Sequence, residues 1–189
     1  MPAADSPRQS GYKGAMDIVV RPDPANPSRG RAQLGALSWP CALGRSGVRA
    51  DKREGDGATP QARMQLRRVF YRPDRLTPPA TNLPVQALTP LDGWCDDTAS
   101  RDYNRFVTRP HSARHERRGR HDAIYDVIVE LGWNDEPVLP GRGSAIFLHV
   151  ARSDYAPTEG CVALALDDLL AMLAALSGEC WLELVAPAR

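Results

Sequence analysis

A histidine and a cysteine twelve residues apart are the side chains of this sequence best suited to covalent chemistry. His149 lies in the apolar stretch 144–151, which favours a β-strand, and Cys161 follows Gly160 shortly before a segment with helical periodicity. A histidine and a nearby helix N-terminus both stabilise a thiolate, so we expect the pKa of this thiol to fall from about 8.5 towards neutrality. Such a cysteine would act as a nucleophile, with the imidazole as its base.

The residues just before the cysteine have a pattern typical of an oxyanion site. Gly160 permits a tight turn, so the backbone amides of Glu159, Gly160 and Cys161 are expected to converge on a developing oxyanion. A lone histidine in a strand is nevertheless more often a hydrogen-bonded core residue, and a lone cysteine more often a small buried hydrophobic side chain. Spacing alone leaves both interpretations open.

The elements that must position this pair indicate one loop-rich domain of mainly β structure. The 189 residues include 15 glycines and 17 prolines, too many helix breakers for a helical bundle, and the hydrophobic content of 42% is that of a globular domain. One helix is expected at 167–176, ending before a C-capping Gly178. Short strands are expected at 16–20, 31–34, 38–43, 65–71, 123–133, 144–151 and 180–185. These elements predict a mainly β, α+β fold.

The sequence predicts a flexible tail at 1–15 and a single domain at 16–189. The tail is polar, without periodicity and without the apolar run of a secretory signal. No segment approaches the roughly 18 apolar residues that a membrane-spanning helix needs. The region 72–122 contains six prolines, so we expect it to be a long and largely irregular loop region rich in arginine.

Charge and cysteine content narrow the classes of partner. The formal net charge is +1, but residues 101–121 hold seven arginines and three histidines against two acidic residues. This segment is consistent with a solvated loop, with a lip that docks substrate carboxylates, or with a nucleic-acid contact, the last disfavoured because aromatic residues are few. The four cysteines, at 41, 95, 161 and 180, include no Cys-x-x-Cys pair. We therefore expect no metal, no other cofactor and no nucleic acid.

Two ordered motifs resemble those of the YkuD-type L,D-transpeptidases. In that family a strand ending in histidine is followed, after a variable loop, by a Ser/Thr-His-Gly-Cys sequence, and the segments 141–149 (GRGSAIFLH) and 157–164 (PTEGCVAL) are similar to this pattern. The segment 44–60, which ends in Thr-Pro, looks like the family's glycine-rich segment. The matches span about 40 to 185. The resemblance implies a YkuD-like β-sandwich of two mixed sheets with a helix following the cysteine.

The resemblance also implies acyl transfer between peptidoglycan stem peptides through a thioester. By that resemblance Cys161 is the nucleophile and His149 the general base, oriented by the backbone carbonyl of Val150, while Gly160 and Glu159 contribute backbone groups. Donor and acceptor would be diaminopimelate-containing stems, joined in 3-3 or 1-3 cross-links. The residues expected to contact substrate are Tyr125, Arg114, Arg142, Ser144 and Thr158.

The sequence departs from the family's pattern near the cysteine. Glu159 stands where the motif usually has histidine, Ala163 stands where Arg or Asn is usual, and the gap between His149 and Cys161 is short, which implies a trimmed loop. Hydrolysis of stem peptides, as an L,D-carboxypeptidase or amidase, is therefore an alternative to transfer, and a non-catalytic binding module that uses the arginine-rich loop is a third. The resemblance favours a monomer in the periplasm or cell envelope, with a cytoplasmic location open because no signal peptide is visible.

Overall fold

Strands, most of them short, are the main regular secondary structure of the described residues. The computed structural model describes residues 16–118 and 122–185, so the tail expected at 1–15 lies outside the described residues. An α-helix, α1 (Leu166–Ala175), and a 3-10 helix (Ala123–Tyr125) accompany the strands. The strands of these ranges are β1 (Met16–Asp23), β2 (Asn26–Leu34), β3 (Leu37–Ala42), β4 (Val48–Arg49), β5 (Thr59–Pro60), β6 (Arg63–Tyr71), β7 (Val85–Ala87), β8 (Asp92–Cys95), β9 (Phe106–Thr108), β10 (His115–Arg117), β11 (Val127–Leu131), β12 (Phe147–Val150), β13 (Val162–Leu164) and β14 (Cys180–Leu184).

Eight of these strands close into a barrel. Their order is β11-β12-β13-β3-β2-β1-β14-β6, and β6 pairs back with β11. The sequence analysis is right that the fold is mainly β with parallel and antiparallel pairs, but wrong about two separate sandwich sheets. The physical reason lies in β6, which pairs with β14 and β11 and so joins the two ends of what would be an open sheet. Closure leaves few exposed strand edges.

The barrel interior is filled by alternate residues of the strands. In β1 the side chains of Ile18 and Val20 are fully buried and register with Leu182 and Leu184 of the parallel strand β14. The helix α1 adds buried side chains to the same core and matches the predicted helix to within one residue at each end. Among the described residues no helix is long and apolar enough to cross a membrane.

A small sheet, formed by β10-β8-β9, packs against the outside of the barrel. It lies within the region 72–122, whose six prolines all fall outside the strands, so the region is more ordered than the sequence analysis expected. Trp94 of β8 meets Phe147 of β12 edge to face at 5.2 Å, and Phe106 of β9 stacks on Phe70 of β6 at 5.7 Å. Phe147 and Phe70 belong to a cluster separate from the barrel interior, so they mark the outer face on which the small sheet docks.

Candidate active site

Two parallel strands bring the predicted nucleophile and base to one face of the barrel wall. β12 pairs with β13 so that His149 stands opposite Ala163. Because side chains alternate along an extended chain, Cys161, two residues before Ala163, lies on the same side as His149. Both residues line a cavity of about 500 Å³ with walls from the barrel and the small sheet. The structure thus brings together the two residues that the sequence analysis pairs.

The imidazole of His149 is held in a defined orientation. Its Nδ1 lies 2.9 Å from the backbone carbonyl oxygen of Val150, the group that the sequence analysis expects to orient the ring. A carbonyl oxygen only accepts, so Nδ1 carries the proton and the neutral ring has its lone pair on Nε2. The edge of the ring meets the ring of Tyr125 at 5.4 Å. This tautomer is the one that can take a proton through Nε2.

The thiol of Cys161 is buried and protonated at rest. The side chain is 8% exposed, and Sγ donates a hydrogen bond to the backbone oxygen of Ala145 at 3.2 Å. The pKa of the thiol is raised to about 12, chiefly by burial and secondly by Glu116, while Arg118 and Lys52 lower it in part. The reaction must therefore remove a proton from a thiol and cannot start from a stored thiolate.

This result corrects the expectation of a lowered thiol pKa. The expected cause was the N-terminus of the following helix, but α1 begins only at Leu166, and the strand β13 lies between it and the cysteine. The field of a helix terminus falls off within about one turn, so it contributes little at this distance. The helix does follow the cysteine in sequence, as predicted, but it packs into the barrel core.

A tight turn precedes the cysteine. The hydroxyl of Thr158 donates to the backbone oxygen of Cys161 at 2.6 Å and accepts the amide hydrogen of Gly160 at 3.1 Å. Gly160 has a φ of 138°, and a Cβ at this position would lie 2.8 Å from the backbone oxygen of Ala58. Of the three amides expected to converge on an oxyanion, that of Gly160 is therefore occupied within the turn.

The side chain of Glu159 points to the rim of the cavity. It is 77% exposed, and both carboxylate oxygens lie 3.0 Å from Nε of Arg45. Arg45 belongs to the segment 44–60, which also joins the cysteine loop through a bridge between Gly44 and Thr158. The glycine-rich segment singled out in the sequence thus forms part of the border of the cavity. An exposed ion pair of this kind contributes little to stability.

The residues expected to contact substrate divide into two groups. Ser144, Tyr125 and Thr158 line the cavity together with the histidine and the cysteine. Arg142 and Arg114 are outside the lining. The guanidinium of Arg114 is held by the side chain and backbone of Asp96, at 3.0 and 2.8 Å, and Asp96 is a lining residue. Arg142 offers its backbone oxygen to the indole N–H of Trp133 at 3.0 Å.

The sequence analysis missed a buried lysine in the cavity wall. The side chain of Lys52 is 3% exposed, and its Nζ donates to Oδ1 of Asp56 and to the backbone oxygen of Arg53, both at 2.6 Å. Burial raises the pKa of Asp56, but hydrogen bonds, that from Lys52 foremost, outweigh it and bring the pKa below its usual value. A signal was present: the chain has only two lysines against many arginines, and one of them is Lys52.

Arg118 occupies an unexpected place behind the cavity. The sequence analysis includes this arginine in a segment interpreted as a solvated loop, a docking lip or a nucleic-acid contact, but its side chain is fully buried. The guanidinium lies 3.8 Å from the ring centre of Phe147 and 5.0 Å from that of Trp94. None of its three nitrogens has a hydrogen-bond partner in the part of the chain that the structure describes, and burial lowers its pKa. It faces aromatic surfaces from both the barrel and the small sheet.

The acidic and histidine side chains in and around the small sheet pair with other side chains and do not form a metal site in the described residues. The phenol of Tyr125 donates to Glu116 at 2.7 Å, and burial raises the pKa of that phenol well above its usual value. His111 lies 3.2 Å from Asp102. Within residues 16–118 and 122–185, no group of three or more His, Cys, Asp or Glu side chains is arranged to hold a metal ion.

Comparison with known proteins agrees with this geometry. Searches of curated proteins and of solved structures gave no match. The family model of the L,D-transpeptidase catalytic domain, YkuD, matches residues 27–178, a range that contains both His149 and Cys161. Because this match covers well over half of the sequence and confirms the resemblance of its motifs, the chain belongs to the YkuD family of L,D-transpeptidase catalytic domains.

Proposed function

We propose that this protein is a peptidoglycan L,D-transpeptidase that uses Cys161 as its nucleophile. The observation that carries the proposal is the register of β12 and β13, which sets His149 and Cys161 on one face and in one cavity. The hydrogen bond from Nδ1 of His149 to Val150 supports it, because that bond leaves the basic lone pair on Nε2. Membership of the family supports peptidoglycan stem peptides as the substrate class.

In the first half of the reaction the thiol becomes a thioester. Sγ of Cys161 attacks the carbonyl carbon of an L-centre joined to a D-residue, while its proton passes to Nε2 of His149. The tetrahedral intermediate then collapses, the C–N bond breaks, and the leaving amine takes the proton from the imidazolium. With a resting thiol pKa of about 12, transfer to the histidine must accompany the attack, so the base is essential.

In the second half of the reaction an amine displaces the thiol of Cys161 from the acyl group. The side-chain amine of a diaminopimelate residue in a second stem attacks the thioester carbonyl, His149 accepts its proton, and the sulfur leaves and is protonated again. The new amide is the cross-link. If water attacks instead, the same steps release a carboxylate, and the enzyme acts as a carboxypeptidase or amidase.

The charges of the cavity fit a zwitterionic substrate. Glu54 and Asp96 line it and suit the ammonium group of an acceptor, and Arg152 suits a stem carboxylate. Arg118, behind the cysteine, lowers the pKa of the thiol and so favours negative charge that develops on sulfur and on the carbonyl oxygen. Catalysis by a monomer in the periplasm or cell envelope is part of the proposal.

The test compares the activity of Cys161→Ala with that of Cys41→Ala on purified sacculi. The muropeptide products are separated by chromatography and identified by mass spectrometry. We expect Cys161→Ala to abolish cross-linked and exchanged products and Cys41→Ala to retain them. Unchanged products from Cys161→Ala would overturn the proposal, because catalysis would then not depend on Cys161. Absence of products from the unmodified protein would also overturn it and favour a non-catalytic binding module.

A second arm of the test separates transfer from hydrolysis. The enzyme is run with and without an added amine acceptor. Transferase activity predicts a new amide product that depends on the acceptor. Release of the same shortened stem in both runs would assign the enzyme to hydrolysis.

A further inference from the structure

A second cavity lies on the outside of strands β1, β2 and β3. Its volume is about 590 Å³. We call it the arginine groove, and its defining residues are Arg21, Arg29, Arg31, Ser38, Pro40 and Tyr155. The three arginines alternate with buried residues along their strands and therefore present their side chains on the outer face of the barrel.

The arginines of the groove are positioned by neutral acceptors. Nε of Arg31 donates to the hydroxyl of Ser38 at 3.0 Å, and Nη1 of Arg21 donates to the amide oxygen of Gln33 at 3.3 Å. Nη2 of Arg29 donates to the backbone oxygen of Asp154 at 2.5 Å. None of the three is within ion-pair distance of a carboxylate in the described part of the chain. Their side chains are thus ordered while their charges stay uncompensated.

Many other arginines of the protein, in contrast, have an acidic partner. Arg45, Arg63, Arg67, Arg72 and Arg114 each form an ion pair with an acidic side chain at 3.0 Å or less. Within the groove, the described lining contains a single carboxylate. It belongs to Asp23, and its Oδ1 accepts the backbone N–H of Ala25 at 2.9 Å. Positive charge therefore predominates in the groove.

The strand register places two of these charges side by side. Arg21 of β1 is directly opposite Arg31 of β2. Like charges at directly opposed positions of an antiparallel pair destabilise the sheet. An anion lying between the two guanidinium groups would remove that repulsion, and the planar fork of arginine matches carboxylate geometry. The opposed arginines therefore destabilise the protein without a ligand and favour the binding of an anion.

The groove shares a wall with the candidate active site. Arg29 donates to Asp154 and lies 5.5 Å from the ring centre of Tyr155, and both residues belong to the loop that joins His149 to Cys161. Other residues of the same loop, among them Arg152 and Pro157, line the active-site cavity. The groove and the cavity therefore lie against one loop, and an extended ligand can follow the surface from one to the other.

We propose that the arginine groove binds carboxylate groups of peptidoglycan stem peptides outside the stem that reacts at Cys161. The identity of the polymer rests on the proposed function, whereas the binding of carboxylates rests on the groove itself. Bound in this way, a neighbouring stem holds the polymer against the loop between His149 and Cys161. The groove adds affinity for long substrates and leaves the chemistry of short ones unchanged.

The test measures binding in a Cys161→Ala background, so that turnover does not consume the ligand. The probe is soluble, uncross-linked peptidoglycan fragments of several repeats, titrated by calorimetry. The groove variant is Arg21→Gln/Arg29→Gln/Arg31→Gln, and the matched control, Arg49→Gln/Arg101→Gln/Arg105→Gln, removes the same charge from exposed arginines elsewhere. We expect the groove variant to bind at least about tenfold more weakly and the control to bind like its parent. Equal binding by all three, or equal weakening by both variants, would overturn the proposal.

Two further probes identify the anion. Fragments whose stem carboxylates are amidated should bind the parent as weakly as native fragments bind the groove variant. Inorganic tripolyphosphate should bind less tightly than native fragments. Tight binding of amidated fragments, or a preference for tripolyphosphate, would contradict the carboxylate assignment.

The single substitution Arg21→Gln distinguishes a loss of binding from a loss of folding. It also allows this proposal to be tested separately from the proposed function. Arg21→Gln removes one member of the opposed pair, so it should weaken fragment binding while the free energy of unfolding without ligand stays equal or rises. A fall in both would indicate a merely structural arginine. With Cys161 intact, turnover of a short single-stem donor should be unchanged in Arg21→Gln; absence of turnover in the unmodified enzyme would refute the proposed function and leave the fragment-binding result standing.

Discussion

Cys161 in the active-site cavity and Cys41 in the barrel interior are both buried cysteines, but their surroundings differ. Both side chains are buried, at 8% and 1% exposure, and burial raises the pKa of each thiol to about 12. Cys41 packs in the barrel interior, whereas Cys161 lines the active-site cavity beside His149. Burial raises the pKa of both thiols, so a raised pKa does not distinguish a nucleophile from a core residue here. Cys41 also borders the arginine groove, so what distinguishes the two is a base: His149 lines the cavity of Cys161, whereas the described lining of the groove contains no histidine.

The largest expected difference is in covalent labelling. If the proposed function is right, a carbapenem should react as an analogue of the acyl donor, adding one equivalent to Cys161 and none to Cys41, while penicillins react poorly. Intact-mass spectrometry followed by peptide mapping measures the adduct. Cys41→Ala should label like the unmodified protein and Cys161→Ala should not label. An adduct on Cys41 would remove the distinction between the two regions.

The next effect is on the rate of that acylation. His149→Gln removes the base and should slow acylation of Cys161 by roughly 10² to 10⁴-fold. Because the thiol pKa is about 12, the thiolate fraction of the variant, and with it the residual rate, should rise about tenfold per pH unit from pH 7 to 10.

Tyr125→Phe is the control for this variant, since it keeps the ring that meets His149 edge to face. It should retain most of the rate. A variant at His149 that acylates at the normal rate would show that another group accepts the proton of Cys161.

The smallest effect concerns stability at alkaline pH. The thiol of Cys41 ionises near pH 9.0 in the unfolded chain but near 12 in the folded protein. The unfolded state therefore loses its proton first, and the contribution of this thiol to stability, complete below pH 9, declines above it by about 1.4 kcal/mol per pH unit. Cys41→Ala should lose less stability than its parent between pH 9 and 10.5.

Urea unfolding at three pH values measures this difference, and the comparison across pH cancels the constant cost of the substitution. An equal decline in the two proteins would mean that the thiol of Cys41 ionises in the folded state. The cysteine of the barrel interior would then be less sheltered than its exposure indicates.

The local parts of the fold could be predicted from the sequence, and the long-range parts could not. The apolar stretch around His149 and the periodicity of 167–176 depend on neighbours in the chain, so they predict β12 and α1. Closure of the barrel depends on β6 pairing with β11, about sixty residues later, and nothing local marks that pair. The sequence pattern therefore indicates the class of fold without distinguishing a sandwich from a barrel.

In the candidate site, too, the local features could be predicted from the sequence and the long-range ones could not. Two motifs twelve residues apart are enough to pair His149 with Cys161, because their strands are neighbours. The pKa of the thiol depends on burial, on Glu116 and Arg118 from the small sheet region, and on Lys52 from an earlier segment. Those groups are distant in sequence, so the direction of the shift could not be predicted from the residues next to the cysteine.

The burial of Arg118 opposes the docking of the small sheet that forms the outer wall of the cavity. When the small sheet docks on the barrel, the guanidinium exchanges water for ring faces such as that of Phe147. Removing an ion from water costs several kcal/mol, and a desolvated cation–π contact returns about 2 kcal/mol. Docking is therefore weaker than its apolar contacts alone would make it. Hydration of this one arginine therefore opposes the closure of the cavity by the small sheet.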